Sequence, residues 1–206
     1  MTLWYIARAA GLVALAALTV ATTLGAFASV RQPQDGLRAH RWRFALQYVH
    51  RAAAATGLLL LVAHISTLVL DGQSGVNLQS VVIPFTASYR PVAVTLGTLA
   101  LFATVLTALV GAARGRLATS VRAVRAWRAL HLTAYGAWAL AMGHGFLAGT
   151  DSGYGPVRFG YLIALVVVGA AVGARLWSHQ IAQAGPLARA RRETLAREAR
   201  TVGVSR

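Results

Sequence analysis

Apolar and polar positions in this chain are sorted into long blocks, without the short periods of soluble helices or strands. Five blocks reach the roughly 20 apolar residues that a helix needs to cross a bilayer core of about 30 Å. They are Leu3–Ala28, Phe44–Leu70, Pro91–Ala113, Ala126–Ala148 and Phe159–Trp177. Each is continuously apolar and lacks the alternation of a membrane barrel strand, so the pattern predicts helices. No block has an internal proline, and Pro91 opens the third, where its missing N–H costs nothing. The expected fold is an all-α membrane protein: a bundle of five transmembrane helices over residues 1–178, then a basic tail over 179–206. The first block also resembles a signal peptide, with Arg8, an apolar run and Ala26-Phe27-Ala28. Its apolar core is longer than a signal's and basic residues follow it, so a retained helix is expected.

The polar blocks set a direction. Arg31, Arg38, Arg41 and Arg43 fill the first, and Arg114, Arg116, Arg122 and Arg125 the third. The second carries only Asp71 and Arg90, and the fourth only Asp151 and Arg158. The tail adds Arg189, Arg191, Arg192, Arg197, Arg200 and Arg206. Positive charge collects on the cytoplasmic side of membrane proteins, which predicts an N-terminus outside and a cytoplasmic C-terminus in a multi-pass protein of the cell membrane.

Composition agrees with the blocks. Of 206 residues, 57% are hydrophobic and 12% charged, and mean hydropathy is +0.58. The net charge of +15 is all arginine, with no lysine. Because the arginines cluster between apolar spans and not on a soluble face, no nucleic-acid partner is expected. Cysteine is absent, which removes thiolate haem ligation, iron–sulfur clusters and disulfides.

Histidines stand inside the apolar blocks. His50 and His64 lie in the second span, and His131 and His144 in the fourth. An imidazole in hydrocarbon must be neutral or coordinated, and its nitrogens need partners. Fourteen residues on a helix fall about 40° short of four turns, so His50 and His64 leave one face about 21 Å apart. Gly57 lies midway on that face, where it admits either a planar group or a neighbouring helix. Thirteen residues leave His131 and His144 roughly 140° apart on an ideal helix, which predicts a distortion, with Gly136 and Gly143 as its places, or two cofactors rotated against each other. The second and fourth spans run parallel, so His50 faces His131 and His64 faces His144 at two depths. Opposed imidazoles are the axial ligands of six-coordinate b-type haem. Metal sites for binding or transporting ions, and structural hydrogen bonding, are the alternatives.

With two histidines on each of two helices, fourteen then thirteen residues apart, the pattern resembles the ferric reductase-like transmembrane family. That family includes ferric reductases, NADPH oxidase membrane domains and the haem subunit of methionine sulfoxide reductase systems. The resemblance implies two stacked haem b groups held by His50 with His131 and His64 with His144. It covers about residues 4–178. It also implies an oxidoreductase subunit that moves electrons across the membrane, and it leaves the substrate open. No GxGxxG or P-loop follows the last span, so a donor is required: membrane quinol or a flavin reductase. The acceptor is expected outside, with a flavoprotein among the candidates.

Haem propionates want cationic partners. Near the inner pair stand Arg51, Arg128 and Arg43, read either as propionate contacts or as anchors reaching the headgroups. Tyr48, Trp42 and Trp127 read as interface aromatics ahead of haem-edge contacts. In the second loop, Val76–Phe85 either lies in the interface or dips over the outer haem, and Arg90 is the expected outer contact. His40 and His179 read as solvated.

Overall fold

A computed structural model describes residues 2–28, 37–117, 120–185, 190 and 194, and among them every regular element is helical. The elements are α1 (Thr2–Phe27), α2 (Leu37–Leu70), α3 (Leu78–Val82), α4 (Pro91–Ala112), α5 (Arg114–Leu117), α6 (Val121–His131), α7 (Thr133–Ala148), a 3₁₀ turn (Thr150–Gly153) and α8 (Gly155–Ala184). Among the described residues, α1, α2, α4 and α8 are each long and apolar enough to cross a membrane. That is the build of a multi-pass membrane protein. Beyond the turns at their termini, such helices satisfy their backbone groups internally, as hydrocarbon demands.

The expected fourth span, Ala126–Ala148, is not one helix. It breaks at Leu132, between α6 and α7, and the 16 residues of α7 do not span alone. The Leu132 N–H is shared between the carbonyls of Arg128 (3.1 Å) and Ala129 (3.2 Å), and Tyr135 N donates back to Leu132 (3.1 Å). These bonds tighten the turn. Thr133 Oγ1 donates to the Leu130 carbonyl (2.7 Å) and meets Thr107 Oγ1 of α4 (2.9 Å). The distortion sits beside His131, and the Gly136 and Gly143 positions are continuous helix. Two other boundaries shift. α2 starts seven residues before Phe44, and α8 runs past Trp177 to Ala184, into the expected tail. The six tail arginines lie outside the described residues.

α1 packs along α2, α4 packs along α7, and α8 lies against α1. The α1 face is built of small residues, with Ala7, Ala10, Ala14, Ala21 and Ala26 all buried. Small side chains let backbones approach, which is how helices associate without a hydrophobic drive in lipid. Trp138 Nε1 donates to Thr19 Oγ1 (2.9 Å), tying α7 to α1. Below, the end of the bundle where α1 begins is the upper end.

Candidate cofactor-binding site: two histidine pairs

Four imidazoles meet in twos at two levels. His64 and His144 form the upper pair, with ring centres 6.2 Å apart and planes at 75°. His50 and His131 form the lower pair, at 6.3 Å and 70°. The tight turn at Leu132 makes up part of the azimuth that thirteen residues leave missing on one side. A 3₁₀-like turn advances about 120° per residue against about 100° for an α-helix, and so recovers azimuth in the needed direction.

Each ring is also fixed from behind. His64 Nδ1 bonds the Ala7 carbonyl (2.7 Å), His50 Nδ1 the Ala21 carbonyl (2.8 Å) and His144 Nδ1 the Ala93 carbonyl (2.8 Å). A carbonyl only accepts, so Nδ1 donates and Nε2 is left as the lone-pair nitrogen. Such a hydrogen bond orients a ligating imidazole and raises its basicity. These carbonyls are reachable because the residue four positions later is glycine: Gly11, Gly25 and Gly97. A Cβ at Gly11 would lie 2.8 Å from His64 Nδ1, and one at Gly97 2.8 Å from His144 Nδ1. One at Gly25 would lie 3.4 Å from His50 Cε1. Gly111 completes the set, 3.3 Å from His131 Cε1 by the same construction. His131 departs in one respect. Its Nδ1 is buried and makes no hydrogen bond.

The upper pair therefore sets two lone-pair nitrogens in one gap with no proton to share. A cation between them satisfies both. Two metal–imidazole bonds of about 2.0–2.1 Å place the ring centres about 6.3–6.5 Å apart, close to the observed separations. Among the described residues, no group of three or more histidine, cysteine, aspartate or glutamate side chains assembles a metal cage. What each level offers is a pair of opposed imidazoles.

A cavity opens at each pair. The lower one measures about 630 Å³ and is lined by Arg51, Arg114, Gln47, Trp127 and Trp138 besides its histidines. The upper one measures about 180 Å³, with Arg8, Asp151, Tyr89, Trp4 and Tyr161 in its wall. Leu18 and Thr104 line both and divide them. Trp127 stacks on His131, ring centres 5.3 Å apart and 14° from parallel, and the Arg114 guanidinium lies 5.1 Å from the centre of the Trp127 ring.

The chain matches no family model, no curated protein and no solved structure.

Of the residues expected around the pairs, Arg51 reaches the lower cavity. Arg43 and Arg128 do not: both are exposed on outer helix surfaces. Arg90 stands outside the upper cavity, where it donates to the Leu147 carbonyl and lies over the Tyr89 ring. The cation in the upper wall is Arg8, paired through Nε to Asp151 Oδ2 (2.8 Å). Gly57 faces α1: a Cβ there would meet Leu18 Cγ at 2.8 Å. It serves helix packing, and through Leu18 it seats the wall between the cavities. Trp127 is a ring contact of His131 as well as a residue near the helix start. Sequence reasoning missed the four glycines. Their signal was present, since Gly11 with Gly25 and Gly97 with Gly111 repeat the fourteen-residue spacing of His50 with His64.

Proposed function

We propose that the chain is a transmembrane electron-transfer subunit holding two haem b groups by bis-histidine ligation. His64 with His144 hold the upper, outer haem, and His50 with His131 the lower, inner one. The observation that carries this reading is the upper pair: two Nε2 lone pairs set against each other at axial-ligand distance beside a cavity. The residues fit the group. Imidazoles supply both axial positions, Arg51 and Arg114 offer guanidinium forks to lower propionates, and Arg8 offers one above. Bound there, iron porphyrin supplies one-electron redox chemistry. The protein's part is to hold and orient. The Ala7, Ala21 and Ala93 carbonyls lock three imidazoles in one tautomer and ring plane, while apolar walls keep water from the gap. By the charge of its loops, the lower end is cytoplasmic. The donor there is quinol or a flavin reductase, and the acceptor above is a partner such as a flavoprotein. Such a subunit belongs with the ferric reductase-like proteins that its histidine spacing resembles.

Ion binding or transport by the same histidines is the second reading, since two imidazoles also suit a lone soft metal ion. A bare ion needs no cavity of about 630 Å³, which favours haem. An absorption spectrum of the purified chain, expressed with haem supplied, separates the two. A Soret band and a sharp b-type α band on reduction, with two haems per chain, are expected. His64→Leu and His131→Leu should each remove one haem. A colourless protein with bound transition metal overturns the haem reading.

A further inference from the structure

The segment between α2 and α4 folds back down onto α4. The Ser80 carbonyl accepts from Thr98 Oγ1 (2.9 Å), and Phe85 N donates to Thr95 Oγ1 (2.8 Å). Thr98 is seven residues past Pro91, about 10 Å along α4 from its upper end, so α3 lies beside a turn that is already within the span. The fold-back is held firmly. Ser80 is 1% exposed, and Asn77 and Ser80 cap each other through Ser80 N to Asn77 Oδ1 (2.9 Å) and Asn77 N to Ser80 Oγ (3.0 Å). Phe85 sits at φ 66, a left-handed conformation that a bulky residue adopts only where its surroundings enforce it.

The segment has two faces. Val76 and Val81 line the upper cavity. Leu78, Val82, Ile83 and Phe85 point away and are bare, with Leu78 69% and Phe85 68% exposed. No charged residue occurs from Gly72 to Tyr89. Bare apolar side chains beside the upper turns of a spanning helix face either lipid or a protein that enters the lipid. α4 itself exposes Val92, Leu99 and Phe102, so the surface beside the segment is already apolar.

We propose that residues 76–85 form a lip whose outward face, Leu78, Val82, Ile83 and Phe85, is inserted into the acyl–headgroup boundary of the upper leaflet, and that this insertion keeps Val76 and Val81 closed over the upper cavity. The occupant is lipid. Position along α4 argues for it: the contacts with Thr95 and Thr98 hold the lip beside turns inside the 22-residue apolar stretch Pro91–Ala112, which is long enough to cross a bilayer core of about 30 Å. Ser80 is buried against α4, while Asn77 and Gln79 stay exposed beside the apolar side chains, a mixed face suited to the boundary between acyl chains and headgroups. Water exclusion from the upper histidine pair then depends on the bilayer as well as on the chain.

The absence of cysteine makes the test direct. Single variants Phe85→Cys and Leu78→Cys of the full chain, labelled with an environment-sensitive fluorophore, are reconstituted into phosphatidylcholine–phosphatidylglycerol vesicles. Gln73→Cys, in the exposed turn after α2, is the aqueous reference. At positions 78 and 85, nitroxide-bearing lipid should quench several-fold more strongly than aqueous iodide, with the order reversed at position 73. Iodide quenching at 78 and 85 equal to that at 73 overturns the proposal. Protection from both quenchers also overturns it, because it means a protein surface covers the lip. Two labelled sites guard against one variant misfolding, and the readout is independent of haem loading.

Discussion

A methyl group on Gly97 has nowhere to go, because its position is 2.8 Å from His144 Nδ1. Gly11 stands in the same relation to His64. Gly97→Val and Gly11→Val should therefore push an upper imidazole off its carbonyl, with an overpacking cost of about 1–3 kcal/mol and loss of about half the reduced α-band absorbance. Gly136 is the control, since nothing lies within 4 Å of a Cβ there. Gly136→Ala should retain both haems and raise helix stability by about 0.5–1 kcal/mol. Haem content by pyridine haemochrome and thermal melting measure both effects. Equal haem loss in all three variants means that the glycines do not act through the histidines. Arg8 belongs to the same scale. Its fork grips Asp151 across the chain, with both side chains partly exposed. A double-mutant cycle of Arg8→Ala and Asp151→Ala should give a coupling of about 1 kcal/mol, the size of a partly solvated pair. Additive losses mean that the pair is incidental.

At the level of elements, the break at Leu132 is the price of spacing thirteen residues where fourteen would be in register. Inserting one alanine after Leu132 raises the spacing to fourteen but leaves the tightened turn, adding about 100° of rotation. The inserted chain should lose one haem and keep the other, read as one remaining band in a redox titration. Two haems bound as before would mean that α7 rotates freely and the turn does not set register. The same element shows where sequence reasoning ended. Apolar block lengths made α1, α2, α4 and α8 legible, because spanning a bilayer imposes a length on any sequence. The histidine pairs were legible because helical rise and parallel direction fix which depths can meet. The place of the distortion was not. It depends on a hydroxyl contact between Thr107 and Thr133 across two helices, which no local pattern encodes. Which arginines reach the cavities was not legible for a related reason. Arg43, Arg90 and Arg128 lie close in sequence to the site, but on helix faces or at a cap turned away from it, whereas Arg8 and Arg114 approach from other elements.

Across the whole molecule, two hairpins carry the same layout. Gly97 and Gly111 stand 86 residues after Gly11 and Gly25, and Thr104 stands 86 after Leu18, its counterpart in the wall between the cavities. In the first hairpin, α1 supplies carbonyls and glycines to the histidines of α2. In the second, α4 supplies a carbonyl and a glycine to His144 of α7, and to His131 of α6 a glycine alone. Both hairpins run the same way, so the pseudo-axis lies along the bundle, the parallel form of repeat seen in membrane proteins built by internal duplication. Such symmetry by itself would make two equal sites. The cavities are unequal, at about 630 and 180 Å³, and the smaller falls below the roughly 300–1,000 Å³ that ligand sites usually offer. On the proposed reading, the upper wall, with Leu15, Leu61 and Leu68 around its pair, would have to open to admit a macrocycle, and that movement would subtract from affinity. Haem should therefore fill the lower site first. Two single-site proteins test this: His64→Leu retains the lower pair and His50→Leu the upper. Titrated with haemin, the first should bind at least about tenfold more tightly, equivalent to about 1.4 kcal/mol spent on opening the upper wall. Equal affinities, or tighter binding by the His50→Leu protein, would mean that the upper walls yield without cost and that the repeat, not the packing around it, governs loading.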